Sequence, residues 1–414
     1  MLIFSPQTLS DIFVKKYARN NLNKKNFIHT TSQGNISLNK NIEYCNLITL
    51  HQCEDFVFEN NINLVVVISH VLTHSDFVNF FKYNLGIPTV GVTKYWAKLE
   101  GSKLFAKQFM EKHNIPTADY IKISNLRDLE SAISKFDLPL VIKDDGLCAG
   151  FGSYICNTRN DCIKIVKKLL KKNNFCLAEK YISGQEVTLH LIWDGNSLIP
   201  LEPVRDYKLS NDGENGVNTG SMGAYMPVKI LENKRKLIDK FVENLRNVFQ
   251  GIKPDFKGIF VCGLMLTDNE CYNLEFNMRP GIPEFDVLVA HLKTDIFDIF
   301  TNIANGTCSK LKIEYKDGVT GCVNVVHKDY LKQKRKKIKI NLKKEELLYK
   351  EKDLYINTFI GKFDKKENAI IDSSAPVLSI VKHDSNNPFE YIYNYLNTIP
   401  CKNLYYRHDI GSVL

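Results

Sequence analysis

GIFVCGLML (258–266), TDNE (267–270) and CYNLEFNMR (271–279) read as a strand, a tight turn and a second strand. The second strand decides the reading, because residues two apart on a strand share a face about 7 Å from one another. Glu275, Asn277 and Arg279 are therefore expected in one row on one surface. Glu and Asn offer the hard oxygen ligands that Mg²⁺ prefers, and Arg holds an anion through forked planar donors. Such a row suits the chemistry of a magnesium nucleotide. A hairpin whose polar face merely keeps the sheet in contact with water is the competing reading of this stretch alone.

Upstream, the strand LPLVIKD (138–144) runs into DDGLCAGFG (144–152), a loop containing Gly146, Gly150 and Gly152. Glycines let backbone N–H groups approach phosphate oxygens closely, and Lys143 adds a point charge at the strand end. The loop lacks the Gly-Lys-Ser/Thr of a Walker A motif and the register of a dinucleotide fingerprint, so a glycine-rich turn remains an alternative. Lys103 opens a helix near residue 102, where its ammonium and the helix N-terminal amides could hold phosphate together; an exposed helix lysine is the plainer reading. Glu179 and Glu186 bracket EKYISGQE, an extended segment able to pair its backbone with an adenine edge and to offer a carboxylate to ribose hydroxyls.

Outward from these motifs, the first hundred residues alternate short apolar runs such as LIF (2–4), NFIHT (26–30) and NLVVVISH (63–70) with helical patterns. That alternation predicts a small parallel sheet with helices on its faces. LEGSKLFAKQFMEKH (99–113) has helical spacing and is stopped by Pro116, and ENKRKLIDKFVENLRNVFQ (232–250) is a second long helix. The unit from 121 to 191 reads as an inserted lid-like α+β domain. The C-terminal ninety or so residues carry short strands (INTFIGKF, 356–363; VLSIVKH, 377–383) and a terminal helix.

At 414 residues the chain is long enough for roughly two to four domains. A hydrophobic content of 44% and charged content of 24% are ordinary for a globular protein, and the longest apolar runs are strand-sized, so no membrane span is expected. MLIFSPQTLSDIF lacks the features of a secretory leader, which predicts a mature chain starting at Met1. Eleven cysteines without a Cys-x-x-Cys pair argue against structural zinc or a disulfide framework, and point to reduced thiols and the cytoplasm. The net charge of +9 comes from lysine clusters such as KQKRKKIKINLKK (332–344) with no aromatic stacking pattern, which disfavours nucleic acid and fits anionic substrates.

In their order, these elements resemble the ATP-grasp superfamily, and within it the phosphoribosylamine–glycine ligase family. The resemblance rests on LEGSKLFAKQFMEKHNIPTADY (99–120), LVIKDDGLCAG (140–150), NTGSMGAYMP (218–227), GLML…LEFNMR (263–279) and RHDIG (407–411). It implies a multidomain α/β and α+β protein with the ATP-grasp fold. The expected parts are an N-terminal parallel-sheet domain (1–98), a central domain (99–120 and 192–325), a lid (121–191) and a small C-terminal domain (326–414).

By similarity, Lys103 and Lys143 would bind ATP phosphates with Gly150 and Gly152, and Glu179, Lys180, Tyr181 and Ile182 would meet adenine. Glu186 would hold ribose. Glu275 and Asn277 would ligate Mg²⁺ or Mn²⁺, and Arg279, with Lys143, would be catalytic at the transferring phosphoryl group. Asp206, Lys208, Asn218, Thr219 and Gly220 would line the substrate pocket. The implied reaction activates a carboxylate with ATP to an acyl phosphate, which an amine then attacks to leave an amide, ADP and phosphate. Small-molecule carboxylate and amine partners follow, on a monomer or homodimer.

The chain departs from the family's pattern at several places. FSPQTLSDIF (4–13) replaces a glycine-rich turn followed by Arg-Glu-His, and ISHVLTH (68–74) replaces Gly-Pro-Glu. A Gln-Asp-His-Lys-Arg run appears as Arg205, Asp206, Tyr207, Lys208 and Leu209. RPGIPE (279–284) puts Ile282 where a carboxylate would meet the amino-acid substrate, VVHKDYL (325–331) replaces a double-glycine Tyr-Pro motif, and Phe151 stands where lysine is usual. Nucleotide and metal positions persist while acceptor positions change. Three outcomes are therefore open: a ligase with an altered acceptor, the family's own reaction, or an ATP-binding regulator without turnover.

Overall fold

A computed structural model of the chain describes residues 1–5, 26–30, 42–45, 49–148, 150–330, 336–343, 353–358, 360–363, 368–372, 375–399 and 403–412. Most of FSPQTLSDIF and the start of KQKRKKIKINLKK lie outside the described residues. Among the described residues, no helix is long and apolar enough to cross a membrane.

The N-terminal strands form the expected parallel sheet, in the order Ile42–Cys45, Asn26–Thr30, Leu2–Ser5, Val65–Val67, Thr89–Val90. Alternation splits its side chains between two cores. Leu2, Phe4, Val65 and Val67 pack with Cys53, Val57 and Phe81. Ile3 and Val66 turn the other way, onto the buried helices Glu284–His291 and Ile296–Asn305.

The segment expected to form a lid holds a four-stranded sheet ordered Tyr120–Ile123, Cys176–Lys180, Leu140–Asp144, Ser153–Cys156. Its helices Leu126–Phe136 and Arg159–Leu170 begin at side-chain caps, a capping box between Asn125 and Asp128 and the Thr158 hydroxyl. Leu140, Ile142, Cys176 and Ala178 point under those helices. Lys143 and Glu179, one residue on from Ile142 and Ala178, must point to the opposite face, toward the central sheet.

That central sheet is antiparallel, in the order Leu198–Pro200, Gln185–Trp193, Gly258–Leu266, Cys271–Asn277. Val187, Leu189, Leu191 and Trp193 bury its back against the helix Glu232–Ile252. Glu186, Thr188 and His190 thereby face forward. The expected helix from 99 to 113 is two pieces, Lys98–Gly101 and Lys103–Lys112, because extended Ser102 ends the first and caps the second.

Arg205–Asp206, Gly223–Met226, Val319–His327, Pro376–Asp384 and Leu354–Thr358 form a further sheet in that order. The strand Val319–His327 runs across the domain limit expected at residue 325, and so joins the central and C-terminal parts by backbone pairing. The helix Pro388–Thr398 packs on this sheet through Phe389, Ile392 and Leu396.

Candidate active site

The hairpin contains a register irregularity that strict alternation does not anticipate. Gly263 pairs with Glu275 but Leu264 pairs with Asn273, so Leu274 is an extra residue in the second strand. Before the bulge, Asn273 faces the helices, its amide against Met110 Sδ at 3.2 Å. After it, Phe276 takes the apolar face, and Glu275 and Asn277 take the forward one. A bulge re-aims side chains in this way, and here it sets Glu275 and Asn277 side by side.

Asn277 Nδ2 donates to Glu275 Oε1 at 3.3 Å, which leaves the amide oxygen available to a cation. Burial raises the Glu275 carboxyl, but Lys208, Lys143, Lys103 and the Asn277 hydrogen bond outweigh it and bring its pKa down to about 2. Among the described residues no group of three or more His, Cys, Asp or Glu could hold a metal alone. A carboxylate and an amide oxygen facing three ammonium groups instead fit a magnesium or manganese ion that shares its shell with phosphate oxygens.

Arg279 lies beyond the strand and leaves the row that alternation predicts. Its Nε donates to Glu100 Oε1 at 3.1 Å, and the same carboxylate accepts Met278 N at 2.9 Å. His74 Nε2 stands 3.5 Å from Glu100 Oε2. Arg279 is therefore held by the helical turn Lys98–Gly101, which precedes Lys103.

Lys103 is the first residue of its helix and donates to Gly146 O at 2.9 Å. The Leu104 amide is taken by Asp145 Oδ1 at 3.2 Å, so the lid loop itself covers the helix start. Lys143 donates to Leu274 O at 3.0 Å, next to the metal strand. It also pairs with Glu179 Oε2 at 3.0 Å, as does Lys107. Glu179 is thus turned inward, 2% exposed, while Lys180 and Tyr181 are exposed and Ile182 half-buried. Burial pulls the Lys107 ammonium down, Glu179 raises it in part, and its pKa falls to about 8.

Glu186 is in contact with Lys208, and Lys208 also faces Glu275 and Asp206. These carboxylates outweigh the cost of burial and push the lysine well above its ordinary pKa. The stretch Asn218–Gly220 braces the pocket: Asn218 donates to Ser153 O at 3.0 Å, the Thr219 hydroxyl to Lys208 O at 2.9 Å, and Gly220 N to the Tyr330 hydroxyl at 3.1 Å. Gly150 adopts φ +85°, and a Cβ there would meet Thr219 O at 2.4 Å, so only glycine lets the lid loop lie on this stretch. Phe151 packs edge-on against Tyr330 at 5.4 Å.

Lys103, Lys143, Glu186, Asp206, Lys208, Glu275 and Asn277 thus converge on one cleft under the lid. Sequence reading missed Lys107, Glu100, Thr188, His190 and Glu284. Lys107 lies four residues after Lys103, one helical turn on the same side, and that spacing was the available signal. Glu186, Thr188 and His190 are the polar residues of the otherwise apolar strand EVTLHLIW and share its parity.

Residues 101–285 match the family model described as phosphoribosylglycinamide synthetase, ATP-grasp (A) domain. A phosphoribosylamine–glycine ligase from Fusobacterium nucleatum is 30% identical over 388 residues, covering 90% of this chain and 89% of its own.

The chain belongs to the phosphoribosylamine–glycine ligase family.

A Clostridium acetobutylicum member is 35% identical over 300 residues, covering 70% of this chain and 71% of its own. The Thermotoga maritima phosphoribosylamine–glycine ligase crystal structure superposes with a TM-score of 0.79 over 99% of both chains at 23% identity, a likeness of fold. Membership in the family makes the chain an ATP-grasp ligase of the kind that forms C–N bonds, with purine biosynthesis as the family's setting.

Proposed function

We propose that the chain ligates a small-molecule carboxylate to an amine through an acyl phosphate, and that its substrate pocket differs from that of phosphoribosylamine–glycine ligases. One observation carries the second part: two positions that the resemblance assigns to substrate are occupied by packing. Tyr207 is 4% exposed, with its hydroxyl accepting Gly411 N at 3.1 Å and its ring under the Arg407 guanidinium at 4.8 Å. Ile282 is half-buried against the core between the N-terminal sheet and the helix Glu284–His291. Tyr207 is not free to meet a polar substrate, and the Ile282 side chain offers one no hydrogen bond.

The nucleotide half keeps what the chemistry needs. Lys103 and Lys143 reach ATP phosphates from two sides, and Gly150 and Gly152 let the lid loop close over them. The backbone of Glu179–Ile182 pairs with adenine, and Glu186, 31% exposed, meets ribose. Magnesium or manganese held by Glu275 and Asn277 supplies charge neutralisation among the phosphate oxygens. Arg279, oriented by Glu100, stabilises charge on the transferred phosphoryl group. Asp206 and Lys208 line the acceptor side. Catalysis of this kind is mostly positioning and electrostatics, and a closed lid protects the acyl phosphate from water. The setting is the cytoplasm.

The family's own reaction, glycine with phosphoribosylamine, is the second reading, favoured by similarity extending over 90% of the chain. ADP release with ATP and Mg²⁺ against a panel of carboxylates and amines separates the two. Dependence on glycine plus phosphoribosylamine would overturn the altered acceptor. Dependence on another pair supports it. Tight ATP binding without turnover on any pair would favour a regulator.

A further inference from the structure

Behind the metal pair lies a group of buried polar atoms that nucleotide binding does not use. Glu284, the first residue of its helix, is 7% exposed; Thr188 Oγ1 lies 3.5 Å from its Oε1, and its Oε2 has no hydrogen-bond partner. Asp206 Oδ1 is likewise buried and unpartnered. His190, fully buried, accepts Gly281 N on Nε2 at 3.2 Å, which puts its ring proton on an unpartnered Nδ1. Facing Glu284 are Thr188 and His190 from the strand Gln185–Trp193, Asp206 and Lys208 beyond it, Cys322 from the strand Val319–His327, and Arg279 from the preceding loop.

Charge in this group is unbalanced. Burial and Arg279 hold His190 down at about 3, so the ring is neutral and compensates neither carboxylate. The cations here are Lys208, already in contact with Glu186, and Arg279, already bonded to Glu100. Burial raises both Glu284 and Asp206, and Glu284 raises Asp206 further. Lys208 and Arg279 offset part of the rise at Glu284, and a carboxylate held above its ordinary pKa is the better proton acceptor. An unpartnered buried acceptor carries a desolvation cost that a ligand's N–H would relieve.

We propose that Glu284, beside Asp206, takes a proton from the ammonium form of the incoming amine and so frees the nitrogen to attack the acyl phosphate. The proposal rests on the ligase reading above. The amine reaches the protein as an ammonium ion and passes one proton to Glu284. The freed nitrogen lone pair then forms the N–C bond, the bond from the carbonyl carbon to the bridging oxygen breaks, and phosphate leaves with that electron pair and takes up the second N–H proton. Thr188 orients the accepting carboxylate.

The test compares wild type and Glu284→Gln in the full chain. Migration of ¹⁸O from the β,γ-bridge of ATP to non-bridging positions, with carboxylate but no amine, reads acyl-phosphate formation alone. Amide formation from a basic amine, against hydroxamate formation from hydroxylamine, which is mostly unprotonated at neutral pH, reads the need for a base. The variant is expected to keep exchange within several-fold. It should lose amide formation by roughly 10²-fold or more, the usual scale for a general base, and lose hydroxamate formation far less. Equal loss with both nucleophiles, loss of exchange, or no loss would overturn the assignment. If the variant does not fold, the wild-type pH profile decides at fixed free-amine concentration. An ionisation limb in amide but not hydroxamate formation supports the base, and a flat amide profile overturns it. No exchange in wild type with any carboxylate would instead sink the ligase reading itself, and the base with it.

Discussion

Lys143 Nζ lies 3.0 Å from Glu179 Oε2, joining neighbouring strands of the lid sheet on the face turned to the nucleotide cleft. Lys107 reaches the same oxygen from the central domain, also at 3.0 Å. A carboxylate that resemblance assigns to the adenine segment thus orients the lysine proposed to bind phosphate, and ties the lid sheet to the helix Lys103–Lys112.

Glu179→Gln would leave two buried ammonium groups without their counter-charge. Removing one partner of a buried ion pair costs about 3–5 kcal/mol. A lower urea midpoint and weaker ATP binding are expected together. An unchanged midpoint would show that the group contributes nothing to the fold.

Lys107 gives a pH test. Its ordinary pKa of 10.5 falls to about 8 in the folded chain. Between those values the unfolded chain binds the extra proton, so this group's contribution to stability rises with pH across that window. Unfolding free energies of wild type and Lys107→Met should therefore diverge in favour of wild type from pH 8 towards 10. Parallel curves would contradict the assignment.

Glu100→Gln should act on the chemical step. Hydrogen bonds to charged groups contribute about 1.5–3 kcal/mol, so loss of the grip on Arg279 predicts a fall of roughly 10- to 100-fold in kcat. KM for ATP should stay within about twofold, because Arg279 acts on charge that develops during transfer. Steady-state kinetics distinguish this from a general loss of nucleotide affinity.

Glu275→Gln should raise the magnesium concentration needed for nucleotide binding by about tenfold or more, measured by calorimetry. The carboxyl has an ordinary pKa of 4.5 and is held at about 2, so it stays ionised above the ordinary value and is lost as a ligand only as pH falls through about 2. Magnesium dependence in wild type should accordingly be flat from pH 8 to 5 as far as this group is concerned.

Phe151 and Tyr330 form an edge-on pair between the lid loop and the far side of the cleft. Such pairs contribute about 0.5–1.5 kcal/mol beyond burial. Phe151→Ala should raise carboxylate-dependent ATP hydrolysis without amine by several-fold, as the acyl phosphate meets water, with little change in Tm.

The sequence was most informative where periodicity and chemistry coincide. LPLVIKD before a glycine loop, the amphipathic helix from 232 and the hairpin at 258–279 were all legible, because each has a clear period and a marked end. Glu275 and Asn277 were placed correctly on one face, but for an incomplete reason. A bulge at Leu274, invisible to strict alternation, moves them off the face of Asn273. Arg279 left the predicted row because the strand ends at Asn277 and Glu100 draws the guanidinium away. Glu100 and Glu284 were illegible as site residues, since their partners lie 179 and 96 positions away in the chain and no local pattern links them. Tyr207 reads in sequence as a lost substrate contact, and its packing under Arg407 becomes visible only when the C-terminal RHDIG folds back onto it.

Oxygen tracing tests the central claim most directly. The carboxylate that best drives ADP release is labelled with ¹⁸O in its carboxyl group, and the phosphate formed with the amide is analysed by mass. An acyl phosphate predicts one ¹⁸O atom in each phosphate released. Unlabelled phosphate accompanying net amide formation would contradict the mechanism.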